Sequence, residues 1–189
     1  MNLPNKLTLL RIVMIPFFVV FMLWESLPHH YLYALLIFAA ASYTDMLDGQ
    51  IARKHNLVTD FGKFMDPIAD KLLVCSAYVA FVELGICSSW VVIFILAREF
   101  AVTSLRLVAS AGAGKVIAAN YWGKLKTVSQ MVATIAVMFL MEMATWGILP
   151  VAFPVGLICN ILIWISVAFT IISGVVYLMD NKNFIDPSK

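Results

Sequence analysis

Four aspartates at helical spacing are the residues of this chain best suited to chemistry. Asp45 and Asp48 stand in the run Asp45-x-x-Asp48-Gly49-x-x-Ala52-Arg53, and after eight residues follows Gly62-x-x-x-Asp66-x-x-x-Asp70. Residues three or four apart share a helix face, so each pair presents two carboxylates to one side. Four anions gathered at the edge of apolar segments repel one another unless a cation neutralises them. Oxygen-only ligands suit hard divalent ions such as Mg²⁺, Mn²⁺ or Ca²⁺ rather than zinc or copper. Two such ions held by carboxylates are a recurring solution for phosphoryl transfer. Helix caps and surface charges are the plainer reading of aspartates, and two carboxylate pairs at helical spacing beside apolar segments stand against it.

Other polar residues stand where apolar neighbours make them costly. Asn5, Thr8 and Arg11 fall three apart and so share a face. On spacing alone they read equally as a cap with an interfacial anchor or as ligand contacts. Arg98, Glu99 and Arg106 interrupt an apolar run, where a charge is expensive unless paired. Neighbours on a helix do not face each other, so Arg98 and Glu99 are expected to find partners on other helices, the aspartates among them. Arg106 comes close to two turns after Arg98, on roughly the same face. Lys124, Lys126 and Thr127 could hold a phosphate, although a lysine at a span entry is as readily a snorkelling anchor. Gly112-x-Gly114-Lys115 has neither the spacing nor the preceding strand of a nucleotide-binding loop.

The elements that must carry these residues are transmembrane helices. The chain has 189 residues, 62% of them hydrophobic, and a mean hydropathy of +0.94. Soluble domains are about half apolar, so an excess laid out in long runs means an integral membrane protein. Six apolar spans are predicted near 7–24, 31–47, 67–86, 88–109, 127–147 and 151–179. The expected fold is all-α: six transmembrane helices in one bundle, forming a single membrane domain over 1–189, with a short N-terminal segment along the membrane surface. Pro67 is expected in the first turn of its helix, and Asp60 as a solvated loop charge.

Charge gives the orientation. The connections near 25–30, 84–89 and 142–150 contain no Lys or Arg, while Lys6, Arg53, Lys54, Lys63, Lys115, Lys124, Lys126, Lys182 and Lys189 fall on the other side. The positive-inside rule then puts both termini and the aspartates in the cytoplasm. Cys75, Cys87 and Cys159 show no metal spacing and read as small packing residues. No secretory cleavage site, internal repeat or nucleic-acid motif is present.

The aspartate pattern resembles the signature of the CDP-alcohol phosphotransferase family, with every fixed position present. The resemblance extends through Pro4-Asn5-x-Leu7-Thr8-x-x-Arg11, Phe61 to Lys71, Ala97-Arg98-Glu99-Phe100, Ser104-Leu105-Arg106, Trp122-Gly123-Lys124-x-Lys126-Thr127 and Ser173-Gly174-x-x-Tyr177, covering nearly the whole chain. It is nearest the bacterial branch that transfers a phosphatidyl group from CDP-diacylglycerol to sn-glycerol 3-phosphate, releasing CMP. The resemblance implies two Mg²⁺ or Mn²⁺ ions held by Asp45, Asp48, Asp66 and Asp70, with Asp70 as the general base. It also implies a CDP-lipid site that includes Asn5, Thr8, Gly49, Arg53 and Gly62, and it implies a homodimer in the cell membrane.

A phosphorylated acceptor needs fixed positive charge beside an anionic site. Arg98, Arg106, Lys115, Lys124 and Lys126, with Thr127, are the expected acceptor-phosphate contacts, and they favour a phosphorylated alcohol over serine or choline. The competing readings are a phosphatidylinositol-phosphate synthase, a cardiolipin synthase or, outside enzymes, a divalent-cation transporter. A transporter should place its ionisable groups near the midplane between paired halves. Here they cluster at one face and the halves are unlike.

Overall fold

A computed structural model of the protein describes residues 2–54, 59–113 and 121–182. Six helices make up its architecture: α1 Leu3–Leu23, α2 His30–Lys54, α3 Asp60–Glu83, α4 Ser89–Ala113, α5 Tyr121–Thr145 and α6 Val155–Asp180. No strand occurs among the described residues. A helix satisfies its own backbone hydrogen bonds, which is what a chain this apolar requires in lipid. The helices run 21 to 26 residues, or about 32–39 Å at 1.5 Å per residue, against a hydrocarbon core of about 30 Å. The first, fifth and sixth are long and apolar enough to cross a membrane. The other three are of similar length but carry ionisable residues in the half nearest the aspartates.

α1 packs most closely on α2 and also on α3, while α6 packs on α5 and α4. The packed interior holds Phe18, Phe38, Tyr78, Phe81, Met138 and Ile163, all fully buried. The Phe18 and Phe38 rings meet at 5.6 Å between centroids, an arrangement worth about 0.5–1.5 kcal/mol beyond burial. The outer surface is apolar as well: Phe17, Phe100, Val132 and Leu157 are all more than half exposed. A soluble protein does not present such a surface around its whole girth.

Three features depart from the expected elements. The N-terminal stretch is not a separate surface segment but the first turns of α1, which starts at Leu3 with Pro4 in its opening turn, where a missing N–H costs little. α3 begins seven residues before Pro67, which lies inside the helix. Thr59 starts it, its hydroxyl accepting the Gly62 N–H at 3.1 Å, so Asp60 is a helical residue beside its cap and not a loop charge. Local capping outweighed the proline, so Asp66 and Asp70 project from an established helix.

Gly85 and Gly147 adopt positive φ after α3 and α5 and turn the chain there. This end lies away from the aspartates. Trp24, Trp90 and Trp146 are exposed there. The His29 ring contacts the Glu142 carboxylate at 2.7 Å and accepts the Trp146 indole N–H at 2.8 Å, which ties the α1–α2 turn to α5. Cys87 and Cys159 are buried and Cys75 is partly so, all three free, as packing residues should be.

Candidate functional site

The polar residues gather where the N-termini of α1, α3 and α5 meet the C-terminal halves of α2, α4 and α6. Two clusters form there. In the first, α1 inserts its polar stripe between the two aspartate helices. Arg11 is fully buried; its guanidinium lies 2.6 Å from Asp45 and 2.5 Å from Asp48. Thr8 is buried one turn away, its hydroxyl 2.6 Å from Asp66, 3.2 Å from the Pro4 carbonyl and 3.5 Å from Asp48. A hydroxyl has one proton to donate, and the shortest of these contacts gives it to Asp66. Thr8 and Arg11 thus join Asp48 of α2 to Asp66 of α3.

Asn5 completes the stripe. Its side-chain oxygen accepts the Thr59 hydroxyl at 3.0 Å, beside the start of α3. Gly62 lies under it. A Cβ there would come within 3.1 Å of the Asn5 oxygen and 3.3 Å of the Thr59 hydroxyl, so the absent side chain leaves room for this contact. Gly49 follows Asp48 in α2, partly buried.

In the second cluster Glu99 of α4, itself buried, gathers three cations. Lys126 of α5 donates to it, Arg98 lies 3.1 Å away and Lys71 of α3 lies 3.6 Å away. Lys71 also donates to the Thr103 hydroxyl at 2.6 Å. Arg98 and Glu99 therefore do touch, contrary to the expectation for adjacent residues, because the long arginine side chain folds back across the helix surface. Their other partners come from α3, α5 and α6 rather than from the aspartates. Arg98 donates to Ser173 of α6 at 2.8 Å, and Arg106 donates to Tyr177 at 3.0 Å with its guanidinium 5.4 Å from that ring's centroid. The eight-residue separation on α4 thus meets a four-residue separation on α6.

Asp70 lies between the clusters. It feels the charges of Asp45 and Arg11 on one side and of Lys126 and Glu99 on the other. A narrow crevice is lined by Asp70, Lys71, Glu99, Lys126 and Thr127. The Thr127 hydroxyl donates to the Gly123 carbonyl at 3.2 Å in its own helix, and Lys124 is exposed on the first turn of α5. The Arg53 side chain and all of Lys115 lie outside the described residues.

Among the described residues no three carboxylate, imidazole or thiol groups converge closely enough to cage an ion. In kind, however, the donors fit a hard divalent cation: Asp45, Asp48, Asp66 and Thr8 offer only oxygens, and a cation already sits against two of them. The Arg11 guanidinium stands in for the positive charge that the cluster demands. Sequence reasoning put Arg11 on one face with Asn5 and Thr8 and left open whether it anchors or binds; it did not pair Arg11 with the aspartates. The available signal was a charge in an apolar helix one turn from Thr8, which has to be paired.

Residues 1–172 match the family described as CDP-alcohol phosphatidyltransferase. The chain is 46% identical over 191 aligned positions to the CDP-diacylglycerol–glycerol-3-phosphate 3-phosphatidyltransferase of Bacillus subtilis (strain 168), covering 95% of each chain. It is 38% identical over 184 positions to the protein of that name from Rickettsia typhi, covering 97% of this chain and 98% of the relative. The Haemophilus influenzae protein of the same name is 41% identical over 138 positions, which cover 70% of this chain and 72% of the relative.

Proposed function

The chain belongs to the CDP-alcohol phosphatidyltransferase family, and from that premise we propose that it transfers the phosphatidyl group of CDP-diacylglycerol to sn-glycerol 3-phosphate. The products are phosphatidylglycerophosphate, an anionic phospholipid precursor, and CMP. The observation that carries this reading is the pairing of an acidic cluster with a basic one across Asp70. The acidic side suits a metal-bound diphosphate, and the basic side suits a second, phosphorylated substrate. The names of the relatives support the same choice of substrates.

In this reading all six helices cross the bilayer as one domain. The aspartates and both termini lie on the cytoplasmic face, where the lysines concentrate. Two Mg²⁺ or Mn²⁺ ions at Asp45, Asp48, Asp66 and Asp70 would polarise the diphosphate and stabilise the departing CMP. Asn5, Thr8, Gly49, Arg53 and Gly62 border the space for the CDP-lipid, while its acyl chains stay in the membrane. Asp70 takes the proton of the acceptor hydroxyl as its oxygen forms the new bond to phosphorus and the bond to CMP breaks. Arg98 and Arg106, held by α6, bind the acceptor phosphate with Lys115, Lys124, Lys126 and Thr127 around them. The protein works as a homodimer.

Transfer of labelled glycerol 3-phosphate into lipid by purified protein, with CDP-diacylglycerol and Mn²⁺, tests the reading. Metal-dependent labelling that Asp70→Asn abolishes in a folded protein is expected. Labelling from inositol phosphate or from a lipid alcohol instead would assign a different acceptor. No labelling from any alcohol by well-folded protein would reject the transferase reading.

A further inference from the structure

The first cluster contains a cation that the proposed chemistry does not use. Arg11 is fully buried on α1, yet it forms ion pairs with Asp45 and Asp48 of α2; among the described residues its Nη2 donates to Asp48, while its Nε and the Nη1 that faces Asp45 make no hydrogen bond. The residue is therefore fixed by the two carboxylates. Asp48 is almost as buried as Arg11, whereas the Asp45 side chain is 44% exposed. A buried carboxylate without a cation is strongly disfavoured. In the structure Arg11 supplies that cation to the same oxygens that the metal reading assigns to a divalent ion.

We propose that Arg11 is the resident counter-cation of the aspartate cluster: it holds Asp45 and Asp48 together before a divalent ion binds, and it then competes with that ion for their charge. The inference rests on the aspartates being the metal site, but its metal-free consequences stand without that. Arg11 is in this role a positioning residue. It keeps mutually repelling ligands assembled in the empty enzyme and sets how tightly an ion is held there. A guanidinium suits the task because its planar fork reaches two carboxylates at once.

The test is thermal unfolding of purified, chelator-treated protein in detergent, titrated with Mn²⁺ at fixed pH. Without metal, Arg11→Gln should melt below wild type, Arg11→Lys should recover part of the loss, and Arg11→Gln/Asp48→Asn should melt above Arg11→Gln. With metal, the melting temperature of Arg11→Gln should rise by more than that of wild type, at an apparent Mn²⁺ Kd about tenfold lower, since removing a nearby positive charge favours a second one. If Arg11 were only packing between helices, single and double variants would melt alike and Mn²⁺ would shift Arg11→Gln and wild type equally. Either result overturns the proposal. If Arg11→Gln does not fold, the double variant decides: recovery of a folded protein supports the role and failure to recover rejects it. A wild type that Mn²⁺ does not stabilise would reject the metal site, while the metal-free comparisons would still decide the role of Arg11.

Discussion

Gly174 of α6 lies directly beneath the Arg98 side chain of α4: a Cβ at position 174 would come within 2.9 Å of the arginine Cγ and 3.7 Å of its Cβ. Those atoms belong to the root of the side chain, so an added methyl cannot be avoided by moving only the guanidinium. The same face of α4 reaches α6 twice, through the Arg98–Ser173 and Arg106–Tyr177 hydrogen bonds.

Gly174→Ala should therefore tilt Arg98 away from Ser173 and weaken the acceptor site. Overpacking of this kind costs about 1–3 kcal/mol. The expected outcome is a KM for glycerol 3-phosphate raised by about tenfold, corresponding to about 1.4 kcal/mol, with the KM for CDP-diacylglycerol little changed. Steady-state kinetics with each substrate varied in turn checks this. An equal rise in both would mean a general loosening of the helix pair.

Tyr177→Phe removes one hydroxyl and keeps the ring against Arg106. The lost contact is a hydrogen bond to a charged group, worth about 1.5–3 kcal/mol, and part of the interaction survives as cation–π attraction. The expected result is a several-fold rise in the glycerol 3-phosphate KM. Arg106→Ala should have a larger effect of the same kind, because it removes the charge itself. The same assay in the two variants checks the order. A CDP-diacylglycerol KM that moved more than that of the acceptor would oppose this role for Arg106.

How much of this was legible in the sequence depends on the range of the interaction. The six helices were, because long apolar runs specify their own secondary structure, although among the described residues only α1, α5 and α6 are long and apolar enough to cross a membrane. The common face of Arg98 and Arg106 was legible too, since helical periodicity fixes it, although their partners Ser173 and Tyr177 lie some seventy residues away. The start of α3 was missed because the Thr59 cap, a single hydrogen bond to Gly62, prevailed over the signal of Pro67. Arg98 and Glu99 were kept apart by a rule about backbone direction that a long side chain can escape. The role of Arg11 was hidden for a different reason. Spacing places it beside Thr8, but only the packing of α1 on α2 brings the two aspartates to it.

Thr8→Val tests how α1 serves the aspartates. The substitution keeps the shape and removes the hydroxyl that donates to Asp66 at 2.6 Å. Loss of a hydrogen bond to a carboxylate should lower stability by about 1.5–3 kcal/mol. Its larger effect should fall on transfer, because Asp66 loses the contact that orients it, and outer contacts of metal ligands are commonly worth about 10–100-fold in affinity or activity. Thr8→Ser, which keeps the hydroxyl, should restore most of the activity. Transfer rates in the two variants, read beside their melting temperatures, separate orientation from stability.

Glu99 should prove the most sensitive position of the second cluster. It is buried and balances Lys126, Arg98 and Lys71 together. Glu99→Gln keeps the volume and removes the charge, leaving three cations around a neutral amide. Breaking a buried ion pair from one side costs about 3–5 kcal/mol, so a marked drop in melting temperature is expected. Lys126 is the most buried of the three cations and so the main source of the penalty. Glu99→Gln/Lys126→Met, which removes both charges and keeps the lysine's apolar length, should recover part of the lost stability. It should not recover transfer, because Lys126 borders the crevice beside Asp70. Recovery of stability without activity would separate the structural pairing from the catalytic neighbourhood. A double variant no more stable than Glu99→Gln would mean that Lys126 is not the charge Glu99 has to balance.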